Sequence, residues 1–337
     1  MEHSLLTGIT LTMAAGLMSG NCMLPLKFMR SWKWENAWLV FSIVSLVIMP
    51  WALALILVHH LFQTYGALAF EQLAIPALLG AGWGIAQILF GISIKRLGMG
   101  ISYAIVVGLG AVLGTLVPLF VQHRLLINGH ATALILMGVA VMVAGIALTA
   151  LGGHIRERDT SATAQTTPRQ KYAAAISLAI LCGFMAPMLN YSFAFGQDIA
   201  LQAARLGNSA VYAAYAVWPV GLLGGFIPNI LYSLYLLSKN RTFSSFRSTR
   251  TDFFWSSLMG VLWMGAFALY GMSAAILGPL GTSVGWCLFQ IFMIMVATLS
   301  GVMTGEWKGS PTSGILFLGL GLVFLTAAIV LLALGNR

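Results

Sequence analysis

The stretch Gly80-Ala-Gly-Trp83-Gly-Ile-Ala-Gln87-Ile-Leu-Phe90-Gly91-Ile-Ser93-Ile-Lys-Arg-Leu97-Gly98 returns 180 positions later as Gly260-Val-Leu-Trp263-Met-Gly-Ala-Phe-Ala-Leu-Tyr270-Gly271-Met-Ser273-Ala-Ala-Ile-Leu277-Gly278. The tryptophan, the aromatic ring, the serine, the leucine and the closing glycine keep their spacing, so a helix has been duplicated together with its exit turn. Both copies lie inside long apolar blocks, and the copies are five blocks apart. An odd number of crossings separates them, which predicts that one copy runs opposite to the other. Inverted repeats of this kind are typical of secondary transporters, whose substrate site lies between the two halves near the bilayer midplane.

Composition agrees with a membrane protein. The 337 residues are 59% hydrophobic and only 7% charged, with a mean hydropathy of +0.92, whereas a soluble domain carries about a quarter charged residues. On a soluble domain, a net charge of +9 would suggest nucleic acid. Here the basic residues fall in short stretches between apolar blocks, so they act as topology signals and no nucleic-acid partner is expected. Cys22, Cys182 and Cys287 all fall in apolar blocks without metal-site or disulfide spacing, and are expected to be packing residues. No metal and no cofactor is expected.

Ten blocks are long enough to span a bilayer: roughly 5–27, 37–60, 73–94, 100–121, 131–151, 173–196, 209–237, 253–274, 281–304 and 312–334. The seventh is overlong and carries Pro219 and Pro228, near which a tilt or break is expected. The first follows Met1, Glu2 and His3 without a basic region or a cleavage site, so a removable signal peptide is not expected. Lys27, Arg30, Lys33, Lys95, Arg96, Arg156, Arg158, Arg169, Lys171, Lys239, Arg241, Arg247, Arg250 and Lys308 fall on one side of the membrane, and only Arg124, Arg205 and Arg337 on the other. The positive-inside rule makes the first side cytoplasmic and both termini external. The predicted fold is an all-α membrane protein of ten transmembrane helices in two five-helix inverted repeats: an N-terminal half 1–151, a cytoplasmic linker 152–172 rich in Gly, Ser, Thr, Gln and Pro, and a C-terminal half 173–337.

Glycine pairs four residues apart occur at Gly16 and Gly20, Gly80 and Gly84, Gly110 and Gly114, Gly221 and Gly225, and Gly301 and Gly305, and would let helices approach closely. Amides within the spans say more about function, because an unpaired amide in a dry interior costs a few kcal/mol and so turns towards the bundle interior. Asn21, Gln87, Asn190, Asn229 and Gln290 are such residues, and Tyr103, Tyr191, Trp218, Tyr270 and Trp286 are aromatic residues within spans. Each can instead bond a neighbouring helix or fill the core. Rings beside amides also suit a sugar, whose C–H faces stack on rings while its hydroxyls pair with amides. Trp32, Trp34, Trp38 and Trp307 lie at the basic edge and are expected to form an interfacial belt.

No Asp, Glu, Lys, Arg or His occupies the central third of a span, which argues for a neutral solute. Glu35, Asp198 and Glu306 near span ends are the candidates for proton coupling, with a surface role as the alternative.

Pro25-Leu-Lys27, Trp32-Lys-Trp34-Glu35, Trp38 and Pro50-Trp51-Ala52 resemble the first two helices of the bacterial L-rhamnose/proton symporter family. The Gly80–Ile85 segment with Gly91, Arg96-Leu-Gly98-Met99 and Gly114-Thr115-Leu116 is similar to that family's third and fourth helices, and Trp286 and Glu306-Trp307 match near the end. The resemblance implies the drug/metabolite transporter superfamily, ten helices, no catalytic chemistry, and uptake of the 6-deoxyhexose L-rhamnose coupled to protons, with L-lyxose or L-mannose as related sugars. A monomer in the bacterial inner membrane is expected. Two rival readings stand beside it: an exporter of amino acids or small metabolites from the same superfamily, and a polytopic membrane enzyme acting on lipid-linked sugars.

Overall fold

The computed structural model describes residues 2–122, 129–160, 169–247 and 250–335. Residues 161–168 of the expected linker, Arg124 and Arg337 lie outside them. Each apolar block of the sequence contains a helical segment long enough to cross a membrane: α1 (Leu6–Phe28), α2 (Trp34–Leu57), α3 (Phe70–Leu97), α4 (Gly100–Val121), α5 (Gly129–Glu157), α6 (Ala173–Arg205), α7 (Ala210–Asn240), α8 (Arg250–Leu277), α9 (Gly281–Met303) and α10 (Thr312–Gly335). There is no strand among the described residues. Large apolar side chains stand on the outside, including Ile56, Phe70 and Leu78, each at least 70% exposed. Water would penalise that surface and hydrocarbon would not, so the chain is a multi-pass membrane protein.

The duplicated motif produces the same local structure twice. α3 and α8 each contain 28 residues, and their bounds differ by the same 180 positions as the motif. Each ends at a glycine with positive φ, Gly98 at 82° and Gly278 at 74°. Only glycine adopts that left-handed turn without strain, which explains why the exit glycine recurs with the helix.

Irregular turns in the helices lie near prolines in several places. In α7 the irregular turn is a 3₁₀ segment over Ala214–Ala216, ahead of Pro219, and Pro228 lies inside the continuous helix Val217–Asn240. Pro219 sits in the first turn of that helix, where its missing N–H would have had no helical partner. α6 is interrupted at Ala186 and Pro187, and again at Gly196. A π-helical turn over Val44–Ile48 precedes Pro50 in α2, and another over Gly281–Gly285 opens α9.

The chain divides into two compact units, and each takes helices from both ends of the sequence. The first comprises Met1–Ile85 and Met188–Gly278, the second Ala86–Pro187 and Pro279–Arg337. In the first unit, two of the glycine pairs mesh. A Cβ on Gly80 would fall on the carbonyl of Gly221, one on Gly84 against the carbonyl of Gly225, and one on Gly224 on the carbonyl of Ala77. The backbones of α3 and α7 therefore touch. The repeat-related rings of Trp83 and Trp263 stack in the same unit, with centroids 5.3 Å apart. α1 lies along α8, where Thr12 and Ser273 share a 2.6 Å hydrogen bond and Ser273 donates to the Gly8 carbonyl.

The second unit is seamed by α5 and α10. Gly138, Gly145 and Gly152 recur every seven residues on α5, and Leu332, Leu325 and Leu318 recur every seven on α10. They meet in that order, so the two helices are antiparallel. A Cβ at any of the three glycines would come within 2.7–2.9 Å of α10 atoms. Without a hydrophobic drive between helices in lipid, this closeness is what dispersion forces need to hold them.

Gly80→Val and Gly224→Val should each lower stability by about 1–3 kcal/mol or more, because their neighbours are backbone atoms that cannot rotate away. Gly319→Ala, where an added Cβ meets nothing within 4 Å, should be neutral or stabilising by up to about 1 kcal/mol through helix propensity. Thermal unfolding of the detergent-purified protein compares the three.

Candidate functional site

In the first unit, three of the sequence-predicted residues converge around Phe193, on the short helix Met188–Phe195 within α6. The Tyr270 hydroxyl donates to Oδ1 of Asn190 at 2.5 Å, and both residues are fully buried. Trp218 stacks flat on Phe193 with centroids 4.6 Å apart and 9° between planes, and meets Phe267 edge-on. The Phe193 and Tyr270 rings lie 6.0 Å apart. Trp218 is 2% exposed, and its indole Nε1 has no hydrogen-bond partner among the described residues. That nitrogen lies 3.0 Å from where a Cβ on Gly271 would stand, so the glycine leaves the indole its place. A buried N–H without an acceptor costs about 1–3 kcal/mol, a cost that a ligand hydroxyl could remove.

The other amides of this unit are already committed. Asn229 accepts from the Trp38 indole at 2.9 Å, and donates to the carbonyls of Gly225 at 2.8 Å and Gly84 at 3.5 Å. It ties α2, α3 and α7 together. Asn21 is half-buried and donates to the Leu17 carbonyl of its own helix at 3.0 Å. Tyr191 is half-buried, with its ring 6.2 Å from that of Phe195.

In the second unit the picture is reversed for two of the four candidates. Gln87 on α3 is half-buried and Gln290 on α9 is 8% exposed, and neither forms a hydrogen bond with any described residue. One turn beyond Gln87, Gly91 has nothing within 4 Å of a would-be Cβ, so space lies open on that face of the helix. Trp286 is buried against Gly114, whose missing side chain makes room for the indole, and donates to the Gly110 carbonyl at 3.4 Å. Tyr103 stands 6.3 Å from Phe90 and lines a pocket of about 180 Å³.

The three proton-coupling candidates occupy different settings. Glu35 is 5% exposed and accepts from Asn240 Nδ2 and Thr242 Oγ1, both at 2.9 Å, so it is a buried clamp between the start of α2 and the end of α7. Asp198 is exposed and accepts from Gln72 Nε2 at 3.0 Å. Glu306 is exposed beside Arg156, 3.5 Å away, at the mouth of the 180 Å³ pocket.

Three polar positions are not picked out by the sequence pattern. Trp38, expected in the interfacial belt, sends its N–H inward to Asn229 while its ring stacks on Trp34 at 5.0 Å. Its spacing of four from Trp34 on one helix face could have signalled that stack. Asp252 is fully buried and accepts from the backbone N–H groups of Arg30, Ser31 and Trp32 at 2.8–3.0 Å, which fixes the loop before α2. Glu157 lines the pocket beside Arg156. Neither carboxylate stands apart in the sequence from ordinary residues at helix ends.

Ten apolar helices long enough to cross a membrane define a multi-pass membrane protein, and the family match makes it a transporter. The chain matches the sequence model of the L-rhamnose-proton symport protein family (RhaT) over residues 1–336, and it belongs to that family. It is 26% identical over 344 residues, 99% of each chain, to the L-rhamnose-proton symporter of Yersinia pestis strain Pestoides F, and equally to that of Yersinia pseudotuberculosis strain YPIII. To the L-rhamnose-proton symporter of Citrobacter koseri it is 27% identical over 320 residues, 92% of each chain.

Asn229→Ala would orphan the Trp38 indole and should lower stability by about 1–3 kcal/mol. Gln290→Ala removes no bond to a described residue and should cost less than Asn229→Ala, only the packing of the truncated side chain. Parallel denaturation midpoints separate the bonded amide from the available one.

Proposed function

We propose that the chain takes up L-rhamnose by proton symport through alternating access. The observation that carries this is the match to the symporter family over nearly every residue, 1–336. The chemistry of the interior supports a neutral, hydroxylated solute. Gln87 and Gln290 each offer a donor pair and an acceptor that no neighbour uses, and a sugar hydroxyl can satisfy both kinds. In the second unit the rings of Tyr103 and Trp286 offer apolar faces for the ring carbons and methyl group of a 6-deoxyhexose; in the first unit, taken by itself, the Trp218 N–H is a donor and the rings of Trp218, Tyr191 and Tyr270 offer such faces. Asn21, Asn190 and Asn229 act mainly by holding these elements in place, since their amides already bond protein groups.

The two five-helix halves are read as inverted repeats of the drug/metabolite transporter superfamily. The equal bounds of α3 and α8 and the antiparallel seam of α5 and α10, the fifth helix of each half, support that reading. Basic residues gathered in the loops after odd-numbered helices put those loops in the cytoplasm and both termini in the periplasm of the bacterial inner membrane, with the chain acting as a monomer. Proton coupling requires that proton and sugar favour the same state of the carrier, reciprocally. Glu35, Asp198 and Glu306 are the carboxylates put forward for it. Neither an exporter of amino acids nor an enzyme on lipid-linked sugars gains support from any particular residue.

Uptake of radiolabelled L-rhamnose into proteoliposomes should rise when an inward proton gradient is imposed and fall when an ionophore collapses it. Uptake indifferent to the gradient would rule out symport. Gln87→Ala and Gln290→Ala should each weaken sugar binding by about 1–3 kcal/mol, since a hydroxyl loses its partner in a dry site. Calorimetric titration of each variant with L-rhamnose measures it, and undiminished affinity in both would move the site elsewhere.

A further inference from the structure

Within the first unit, the segment joining α1 to α2 and the segment joining α7 to α8 carry a concentration of cations. Lys27, Arg30 and Lys33 belong to one, Lys239, Arg241, Arg247 and Arg250 to the other, and all seven are exposed. The two segments are far apart in sequence but fastened to each other. The Trp32 indole donates to the Ser245 carbonyl at 3.1 Å, and the Asn36 amide donates to the Thr242 carbonyl at 3.0 Å. Glu35 and Asp252 complete the fastening, and both are buried, their oxygens accepting from an amide, a hydroxyl and backbone N–H groups. With each of these two carboxylates set against one cation, the seven cations still leave a surplus of five positive charges at this end of the unit. The other end differs, since Arg205 is accompanied there by the exposed carboxylates of Glu71 and Asp198.

Like charges gathered in this way repel, and loops fastened together cannot relieve the repulsion by drifting apart. Arg241 adds strain to it. This residue caps the C-terminus of α7 with φ at 55°, a left-handed conformation that among the described non-glycine residues only His60 shares. Glycine would hold that turn without strain, yet the position carries a cation. The same segments also expose aromatic rings. Phe28 and Trp34 flank the first, Tyr235 and Phe243 accompany the second, and Phe253 and Phe254 follow it, each 40–57% exposed. The Lys239 ammonium stands 5.6 Å from the centroid of the Tyr235 ring, so cation and ring are presented together. A soluble anion has use for the cations alone. Exposed rings beside cations fit a ligand that joins an anionic group to an apolar body, and such rings settle at the headgroup level of a bilayer.

We propose that the two fastened loops of the first unit form a docking surface for an anionic phospholipid, its phosphate met by cations of both loops and its acyl chains lying against the exposed rings. The headgroup supplies the negative charge that the buried carboxylates do not, and so relieves the repulsion built into the loops. A ligand that binds the folded form and not the unfolded one stabilises it by mass action. The lipid therefore stabilises the carrier, whichever solute it moves. Basic residues at a membrane surface are drawn to anionic lipid in this way, and the attraction weakens as salt screens it.

The test uses the full-length protein in detergent, with the midpoint of thermal unfolding as the readout and three probes: phosphatidylglycerol, phosphatidylcholine and sn-glycerol 3-phosphate. The two lipids share acyl chains and differ in net charge, and the third probe carries an anionic phosphate without chains. Phosphatidylglycerol should raise the midpoint more than either of the others. Equal stabilisation by phosphatidylcholine overturns the proposal, and equal stabilisation by glycerol phosphate does so too, since the surface would then take a soluble anion. Combining Lys239→Gln, Arg241→Gln and Arg247→Gln should raise the half-saturating concentration of phosphatidylglycerol at least about fivefold. The charge-preserving combination of Lys239→Arg, Arg241→Lys and Arg247→Lys should keep the wild-type value. An unchanged response in the first variant, or a lost response in the second, overturns charge as the basis of binding. Should the neutral variant fail to fold, salt titration of the wild type provides the readout: the advantage of phosphatidylglycerol over phosphatidylcholine should fade as salt rises, and an advantage that persists unchanged overturns the proposal.

Discussion

Close backbone contact at glycine is the constraint from which most of this structure follows. Lipid is as apolar as leucine, so burying apolar faces against one another gains little, and helices associate through dispersion and scarce hydrogen bonds. Both need short distances. α3 and α7 reach them where Gly80, Gly84, Gly221, Gly224 and Gly225 leave carbonyls in contact, and α5 and α10 where glycines every seventh residue receive leucines from the partner. The side-chain bonds sit next to these contacts. Asn229 bonds the Gly225 carbonyl one turn back on its own helix, and can also reach the Gly84 carbonyl of α3 because the two backbones lie side by side.

From this comes a division of labour among polar residues. An amide that closes a bond between helices cannot also be offered to a solute without breaking the bundle. Asn229, Glu35 and Asp252 are used in this way: each accepts from groups distant in sequence and fixes a helix end or crossing. Among the described residues Gln87 and Gln290 form no such bond, and the indole nitrogen of Trp218 has no acceptor. A buried polar group left unsatisfied costs stability, which is why these positions are the ones proposed above for the sugar. The same bookkeeping separates Trp38, whose ring lies near the basic edge but whose N–H serves α7, from Trp34, which is 40% exposed.

The ten spans were legible because hydropathy over twenty residues reports directly on what a bilayer admits. The duplicated helix was legible too, since its exit glycine and its ring spacing are imposed by backbone geometry. Proline marked α7 as irregular, and its 3₁₀ turn ends three residues before Pro219, while Pro228 lies inside the helix that follows. The least legible features were long-range pairs. Nothing local to Asn229 announces Trp38, 191 positions away, and nothing near Asp252 announces three N–H groups some 220 positions upstream. Composition could nominate amides as interior, but which of them were already spent depended on neighbours that only the fold supplies.

The two copies of the repeated helix have diverged at the positions that matter. On α8, Tyr270 is bonded to Asn190, and the space beside Gly271 is filled by the Trp218 indole. On α3 the equivalent residues are Phe90, which has no hydroxyl to offer, and Gly91, beside which nothing stands within 4 Å. Gln87 lies one turn before that opening, while the equivalent position on α8 is the buried Phe267. One copy therefore closes its polar and glycine positions with protein groups, and the other leaves an amide and an open face. Duplication gives two helices the same length and exit turn; side-chain divergence then fills the polar and glycine positions of one with protein groups and leaves those of the other open. If the open copy handles the sugar, substitutions on α3 at 87 and 91 should alter selectivity, whereas those at 267 and 271 on α8 should first alter stability.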